Sequence, residues 1–209
     1  MDDIVRQAIA KWPNVPDCYG WLGLDARGNW YMRDDRAQAA GPFAGDATSG
    51  DPPDEARQRA SKGSRLQHDK LIDFIQRNYE SDAQGRWFFQ NGPQRVYVEL
   101  QATPLVLRVG PAPDFAVTAH TGEAARAQRC VVDELGRVYL DTDLGFGLVH
   151  TLDVASAAEA VEQGLWVPQV VQASDLPARF GYVRSPQALQ MTAAPPQAAG
   201  MSAMQKAGQ

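Results

Sequence analysis

DAQGRWFFQNGPQRVYVEL, residues 82–100, is the stretch on which the fold turns. Trp87, Phe88 and Phe89, then Val96, Tyr97 and Val98, are aromatic or β-branched residues at a density that suits a pleated, half-buried surface. Asn91-Gly92-Pro93 breaks the run with turn formers, so the segment predicts two strands, 86–90 and 95–100. At its head, Asp82-x-x-Gly85 carries a turn signal of its own. The aspartate can fold its carboxylate over backbone N–H groups, and the glycine can take the left-handed position before the strand resumes.

Working outward, the same pattern occurs twice more. Asp25-x-x-Gly28 precedes Trp30-Tyr31-Met32, and Asp133-x-x-Gly136 precedes Val138-Tyr139-Leu140. Three hairpin turns with glycine at positive φ are therefore expected. Around them, strands are predicted at 19–24, 29–33, 104–110, 115–120, 129–141 (bent at 134–136), 146–151 and 169–172. Helical spacing appears at 2–12, where Ile4, Val5, Ala8, Ile9 and Trp12 recur and Pro13 ends the run. It is strongest at 64–80, with Ser64 as the expected cap and His68, Leu71, Ile72, Ile75 and Tyr79 as the inner stripe. A further helix is expected at 153–163, capped by Asp153, with Val154, Ala158 and Val161 inward and Gly164 as its stop. A helical turn follows near 175–180.

The first two copies of the turn each follow a helix, so helix-plus-hairpin units can pack side by side, each sheet covered by a helix. The fold class expected is α+β, with antiparallel sheets, covering helices and repeated units. Two subdomains are expected, 1–110 and 111–185. Residues 36–63 lose all periodicity and read as a flexible insertion or a lid. Residues 186–209, rich in Ala, Gln, Pro and Met, read as a disordered tail.

The runs YGWLGLDARGNWYMRDDRAQ, SRLQHDKLIDFIQRNY and DAQGRWFFQNGPQRVYVELQATPLVLRV resemble an uncharacterised bacterial family of short cytosolic proteins. They are more distantly similar to a second unknown-function family, marked by a G-x-W-x-aromatic strand, a helix and a D-x-G-x-aromatic-aromatic strand. That resemblance implies an α+β protein of repeated motifs with a suspected role in signalling or ligand sensing, and it brings no catalytic residue. It covers residues 19–110, with a fainter continuation to 151. Asn91 to Arg95 stands where the second family carries a Thr-Pro turn, and the stretch 36–63 is a further departure.

Bulk properties narrow the function classes. A net charge of -5 argues against a general nucleic-acid binder, which needs a surplus of Lys and Arg on one face. No run approaches the ~20 apolar residues of a membrane helix, and residues 1–16 lack the pattern of a signal peptide. A cytoplasmic protein is expected, with Cys18 and Cys130 reduced. His68, His120 and His150 stand at no metal-ligand spacing, so neither a metal nor another cofactor is expected. There is no nucleophile elbow and no phosphate loop.

What remains is the aromatic set. Trp87 and Phe89 share one face of their strand and Phe88 takes the other. Core packing on both faces is the plain reading. The sharper one is a ligand groove built from Trp87, Asn91, Arg95 and Tyr97. On that footing the expected function is a non-enzymatic ligand-binding or regulatory module, its partner a small molecule or a protein. The alternatives are an enzyme whose acid–base residues meet only in the fold, and a structural interaction subunit.

Overall fold

A computed structural model of the chain describes residues 1–45 and 54–193. It begins with helix α1 (Asp3–Lys11), a one-sided helix that buries Val5. The first hairpin, β1 (Cys18–Leu24) and β2 (Trp30–Met32), follows. Next come α2 (Asp35–Ala40), α3 (Glu55–Lys62), the short strand β3 (Ser64–Arg65) and α4 (Asp69–Arg77). The second hairpin is β4 (Tyr79–Ser81) with β5 (Trp87–Asn91), and β6 (Gln94–Leu100) closes the first sheet in the order β3-β2-β1-β6-β5-β4.

The second sheet starts at once with β7 (Leu105–Val109), then β8 (Val117–Ala119) and β9 (Ala124–Ala125). Its hairpin β10 (Ala127–Asp133) and β11 (Val138–Thr142) leads to β12 (Gly145–Val149). Helix α5 (Val154–Glu162), strand β13 (Pro168–Val171), and helices α6 (Leu176–Phe180) and α7 (Pro186–Ala193) finish the described chain. The strand order is β13-β10-β11-β12-β7-β8-β9. The fold is α+β. Most neighbours are antiparallel, but β1 with β6, β12 with β7 and β10 with β13 run parallel.

One core joins the sheets. Leu22, Leu24, Trp30, Phe89, Val98 and Leu100 from the first pack with Val131, Tyr139, Phe146 and Leu148 from the second. Burying each such side chain contributes about 1.5–3 kcal/mol, so this shared layer is the main force holding the halves together. A second cluster, Leu107, Phe115, Leu140, Val149, Ala157 and Ala160, lies between the second sheet and α5. The changeover between sheets falls at residues 101–104.

Several elements differ from the expectations above, each for a local reason. The helix expected at 64–80 starts at Asp69, because Ser64 and Arg65 pair with β2 and the His68 ring accepts the Leu71 N–H at 3.2 Å as its cap. His68 is thus an exposed cap and not a core residue. In α5 the buried positions are Ala157 and Ala160, while Val154 is exposed. Asp153 does not cap that helix. It receives the Arg108 guanidinium and the Val109 N–H instead. Strand 129–141 is a hairpin of two strands.

Inside the stretch 36–63, α2 and α3 are regular helices, each started by an aspartate, Asp34 and Asp54, that accepts N–H groups of its first turn. The tail 186–209 begins with α7. Residues 46–53 and 194–209 in those two segments lie outside the described residues.

Candidate functional site

The three Asp-x-x-Gly turns share one geometry. Gly28, Gly85 and Gly136 have φ of 80°, 75° and 74°. In each turn one carboxylate oxygen accepts two backbone N–H groups: Arg27 and Asn29 for Asp25, Gln84 and Arg86 for Asp82, Leu135 and Arg137 for Asp133, all at 2.8–3.0 Å. The other oxygen takes a side chain four residues on, Asn29, Arg86 or Arg137, at 2.7–2.9 Å. It also takes a tyrosine hydroxyl: Tyr31 at 3.3 Å, Tyr97 at 3.1 Å, Tyr139 at 2.8 Å.

In the second copy the position of that tyrosine is Phe88, and the hydroxyl comes from Tyr97, directly across the ladder from Phe88. Burial raises the affinity of Asp82 and Asp133 for a proton, but these donors outweigh it and hold both below the ordinary carboxylate range. The turns are therefore sealed polar units with no free acid or base.

The four residues singled out in the sequence do not meet on one face. Phe88 stands opposite Tyr97 and Gln90 opposite Arg95, so Arg95 and Tyr97 point to one side of the first sheet and Trp87 to the other. Tyr97 is fully buried, stacked on Tyr19 at 4.7 Å between centroids and covered by Arg86 at 4.6 Å. Burial pushes its hydroxyl up to about 12. Arg95 is exposed, lies over the Phe88 ring at 4.8 Å and has no carboxylate partner among the described residues. Asn91 is exposed at the strand end opposite Gln94.

Trp87, half-buried, lies against Tyr79 at 4.8 Å and borders a cleft of about 400 Å³ between the two sheets. Its other walls are Thr142, Leu144, Phe146, Phe180 and Tyr182. The turn at Asp82 forms one lip and the β11–β12 turn the other. Phe146 is sandwiched by ring stacking, 3.8 Å from Phe180 and 5.5 Å from Tyr139. Both carboxylates of the lining are taken, Asp82 by Arg86 and Asp143 by Arg126. The N–H of Arg126 and its guanidinium keep the Asp143 carboxyl below its usual range. Gly85 forms the floor where the Asp82 turn touches the chain at Gly181: a side chain there would run into the Gly181 carbonyl oxygen.

A polar cluster that sequence reasoning missed lies on the other side of the first sheet. Arg33 is 1% exposed. It donates to the carbonyls of Ser61 at 2.8 Å, Gly20 at 3.1 Å and Gly41 at 2.7 Å, and to Gln187 Oε1 at 3.4 Å. Glu99, 2% exposed, accepts from the Ser185 hydroxyl at 2.5 Å and the Gln187 N–H at 3.0 Å. Burial raises the Glu99 carboxyl, against the pull of Ser185, Gln187 and the nearby Arg33 charge. No signal could have flagged Arg33 in advance, because its partners come from four separate stretches of chain.

The histidines stand apart from both places. His120 is enclosed beside Trp30 at 5.6 Å and Tyr79 at 5.9 Å, and its Nδ1 accepts the Val106 N–H at 3.2 Å. That bond puts the proton of the neutral ring on Nε2. Burial pushes its pKa down to about 4. His150 caps the turn after β12 by accepting the Leu152 N–H. Among the described residues no group of three or more His, Cys, Asp or Glu is placed to hold a metal ion, both cysteines are free thiols, and no helix is long and apolar enough to cross a membrane.

A family model, DUF2944, described as "Protein of unknown function (DUF2946)", matches residues 1–187. Among solved structures, the chain is similar to a DUF1285 family protein from Silicibacter pomeroyi, with a TM-score of 0.43 and 13% identity over 78% of this chain and 84% of that one. A DUF1285 family protein from Shewanella baltica gives 0.39 and 13% over 66% and 91%. No curated protein matches.

Proposed function

We propose, for a chain that belongs to this DUF2944 family of unknown function, that it is a non-enzymatic binding module whose small-molecule site is the cleft between the sheets. One observation carries this reading. The cleft presents the partly exposed rings of Trp87 and Phe180, with Phe146 and Tyr182 buried in its wall, while each carboxylate on its lips is already paired with an arginine. A catalyst of acid–base type keeps a titratable pair free at the reacting centre. A site with partly exposed rings and satisfied charges favours an uncharged, planar ligand held by stacking and a few hydrogen bonds, with exposed Ser81 as the polar side-chain contact, the Thr142 hydroxyl being taken up in its own turn. A regulatory or signalling output would then follow from ligand-dependent stiffening of the junction.

The test is a thermal-shift screen of metabolites on the wild-type chain and on Ala83→Trp. Ala83 is exposed on the cleft lip, so the indole can fill the opening without disturbing the core. Compounds that raise the melting temperature of the wild type should lose that effect in the variant, since only native-state binding stabilises. Equal shifts in both proteins would remove the cleft from consideration.

Protein docking is a second reading, favoured by Val167 and Val170. Each is 79% exposed, and Val170 lies on β13, which ends the second sheet. An unpaired strand edge with apolar side chains is a surface that another chain can extend. Arg95, exposed over the Phe88 ring with no carboxylate partner among the described residues, is a further candidate contact.

A further inference from the structure

We propose that the socket formed by Gly20, Arg33, Gln38 and Glu99 is a site for a free amino acid with a terminal carboxamide, and that Gln187 is its built-in occupant. The inference is independent of the cleft. It starts from what α7 leaves exposed. Leu189 is 49% and Met191 73% exposed, while Pro186 and the polar side chain of Gln187 turn inward. A helix that docks for the sake of burial shows the reverse pattern. What fastens α7 is the short run Ser185–Gln187.

Gln187 sits in the socket as a small molecule would. Its Oε1 accepts from Arg33 at 3.4 Å, its Nε2 donates to Gln38 Oε1 at 2.8 Å, and its backbone N–H donates to Glu99 at 3.0 Å. Room for the carboxamide exists because position 20 is glycine: a Cβ there would come within 2.6 Å of both the Gln187 amide carbon and Gln38 Oε1. The backbone nitrogen and carboxamide of Gln187 have the spacing of the amino group and carboxamide of free glutamine, since they are the same atoms.

The charges say why a free ligand would compete. Glu99 is met only by a hydroxyl and a backbone N–H, and Arg33 only by neutral oxygens. Two buried, opposite charges thus each lack a charged partner in contact, an arrangement that costs stability. The ammonium group of a free amino acid, placed where the Gln187 N–H now lies, gives Glu99 a formal positive charge in contact, which a backbone N–H does not supply. Binding would release α7, so the socket couples ligand to the C-terminal segment.

The probe is L-glutamine, with L-norvaline, which has the amino group and no carboxamide, as control. In Gln187→Ala the carboxamide of the occupant is gone and only its backbone N–H still holds Glu99, so L-glutamine should bind at least about tenfold more tightly than to the wild type, because less of α7 has to be displaced. L-norvaline should bind neither protein, and Glu99→Gln in the same background should abolish binding. In the wild type, saturating L-glutamine should accelerate amide exchange across 186–191. The proposal is overturned if Gln187→Ala shows no calorimetric binding at millimolar L-glutamine, or binds L-norvaline equally well. Should that variant fail to fold, the wild-type exchange measurement decides, and unchanged exchange across 186–191 overturns the proposal.

Discussion

Gly85 and Gly136 occupy equivalent places in two copies of one turn, with φ of 75° and 74°, yet their surroundings are opposite. Around Gly136 a Cβ would meet nothing within 4 Å, whereas at Gly85 it would strike the Gly181 carbonyl. Alanine at either position incurs the same left-handed backbone strain, about 1–2 kcal/mol. At Gly85 the chain at 181–182 must also withdraw. That breaks the Val183 N–H bond to the Gly85 carbonyl, now 2.9 Å, a loss of about 1 kcal/mol. It also loosens the stacking of Phe146 on Phe180 and Tyr182, worth about 0.5–1.5 kcal/mol per pair. Gly136→Ala should therefore cost about 1–2 kcal/mol and Gly85→Ala about 3–4. Urea unfolding with matched slopes measures the difference. Equal costs within about 0.5 kcal/mol would refute the close approach that forms the floor of the cleft.

His120 makes the fold acid-sensitive in a defined window. Its folded pKa, about 4, lies below the ordinary 6.5, so its share of stability is complete above pH 6.5 and drains away as pH falls toward 4. The loss reaches about 3 kcal/mol, and a titration of stability against pH on wild type and His120→Phe should show the window in the first alone. Tyr139→Phe should cost about 1–1.5 kcal/mol, because the Asp133 bond is 2.8 Å and buried, while Tyr31→Phe, whose bond is 3.3 Å, should cost less than about 0.5. Arg33→Met, read by the same urea assay, should cost more than about 3 kcal/mol, since four oxygens, two in buried bonds and two in part-buried ones, lose their donor and Glu99 its compensating charge.

Local chemistry was readable from the chain, and meeting points were not. The Asp-x-x-Gly turns could be placed because everything that makes them lies within six residues, save the tyrosine of the second copy. α4 was visible through its stripe, but its start was not, because Ser64 is drawn into a ladder with Met32 from a distant strand. Of the expected site residues, strand alternation alone separates Trp87 from Tyr97 once the partner of Phe88 is known, and that register is a tertiary fact. Arg33 showed least of all. A lone arginine at a strand end looks like a solvated charge, and only the convergence of residues 20, 41, 61 and 187 makes it an anchor.

The three parallel pairings set the order in which the chain can be finished. β1 can fold onto β2 as soon as both exist, but its other edge must wait for β6, with Leu22 aligned to Val98. β10 likewise waits for β13, and β7 for β12. Each closure takes its loop entropy before the shared core can reward it, the condition that makes folding slow. During synthesis the first hairpin therefore starts with both edges open, that of β2 until β3 is made and that of β1 until β6, and the half-made sheet is the species a chaperone would meet.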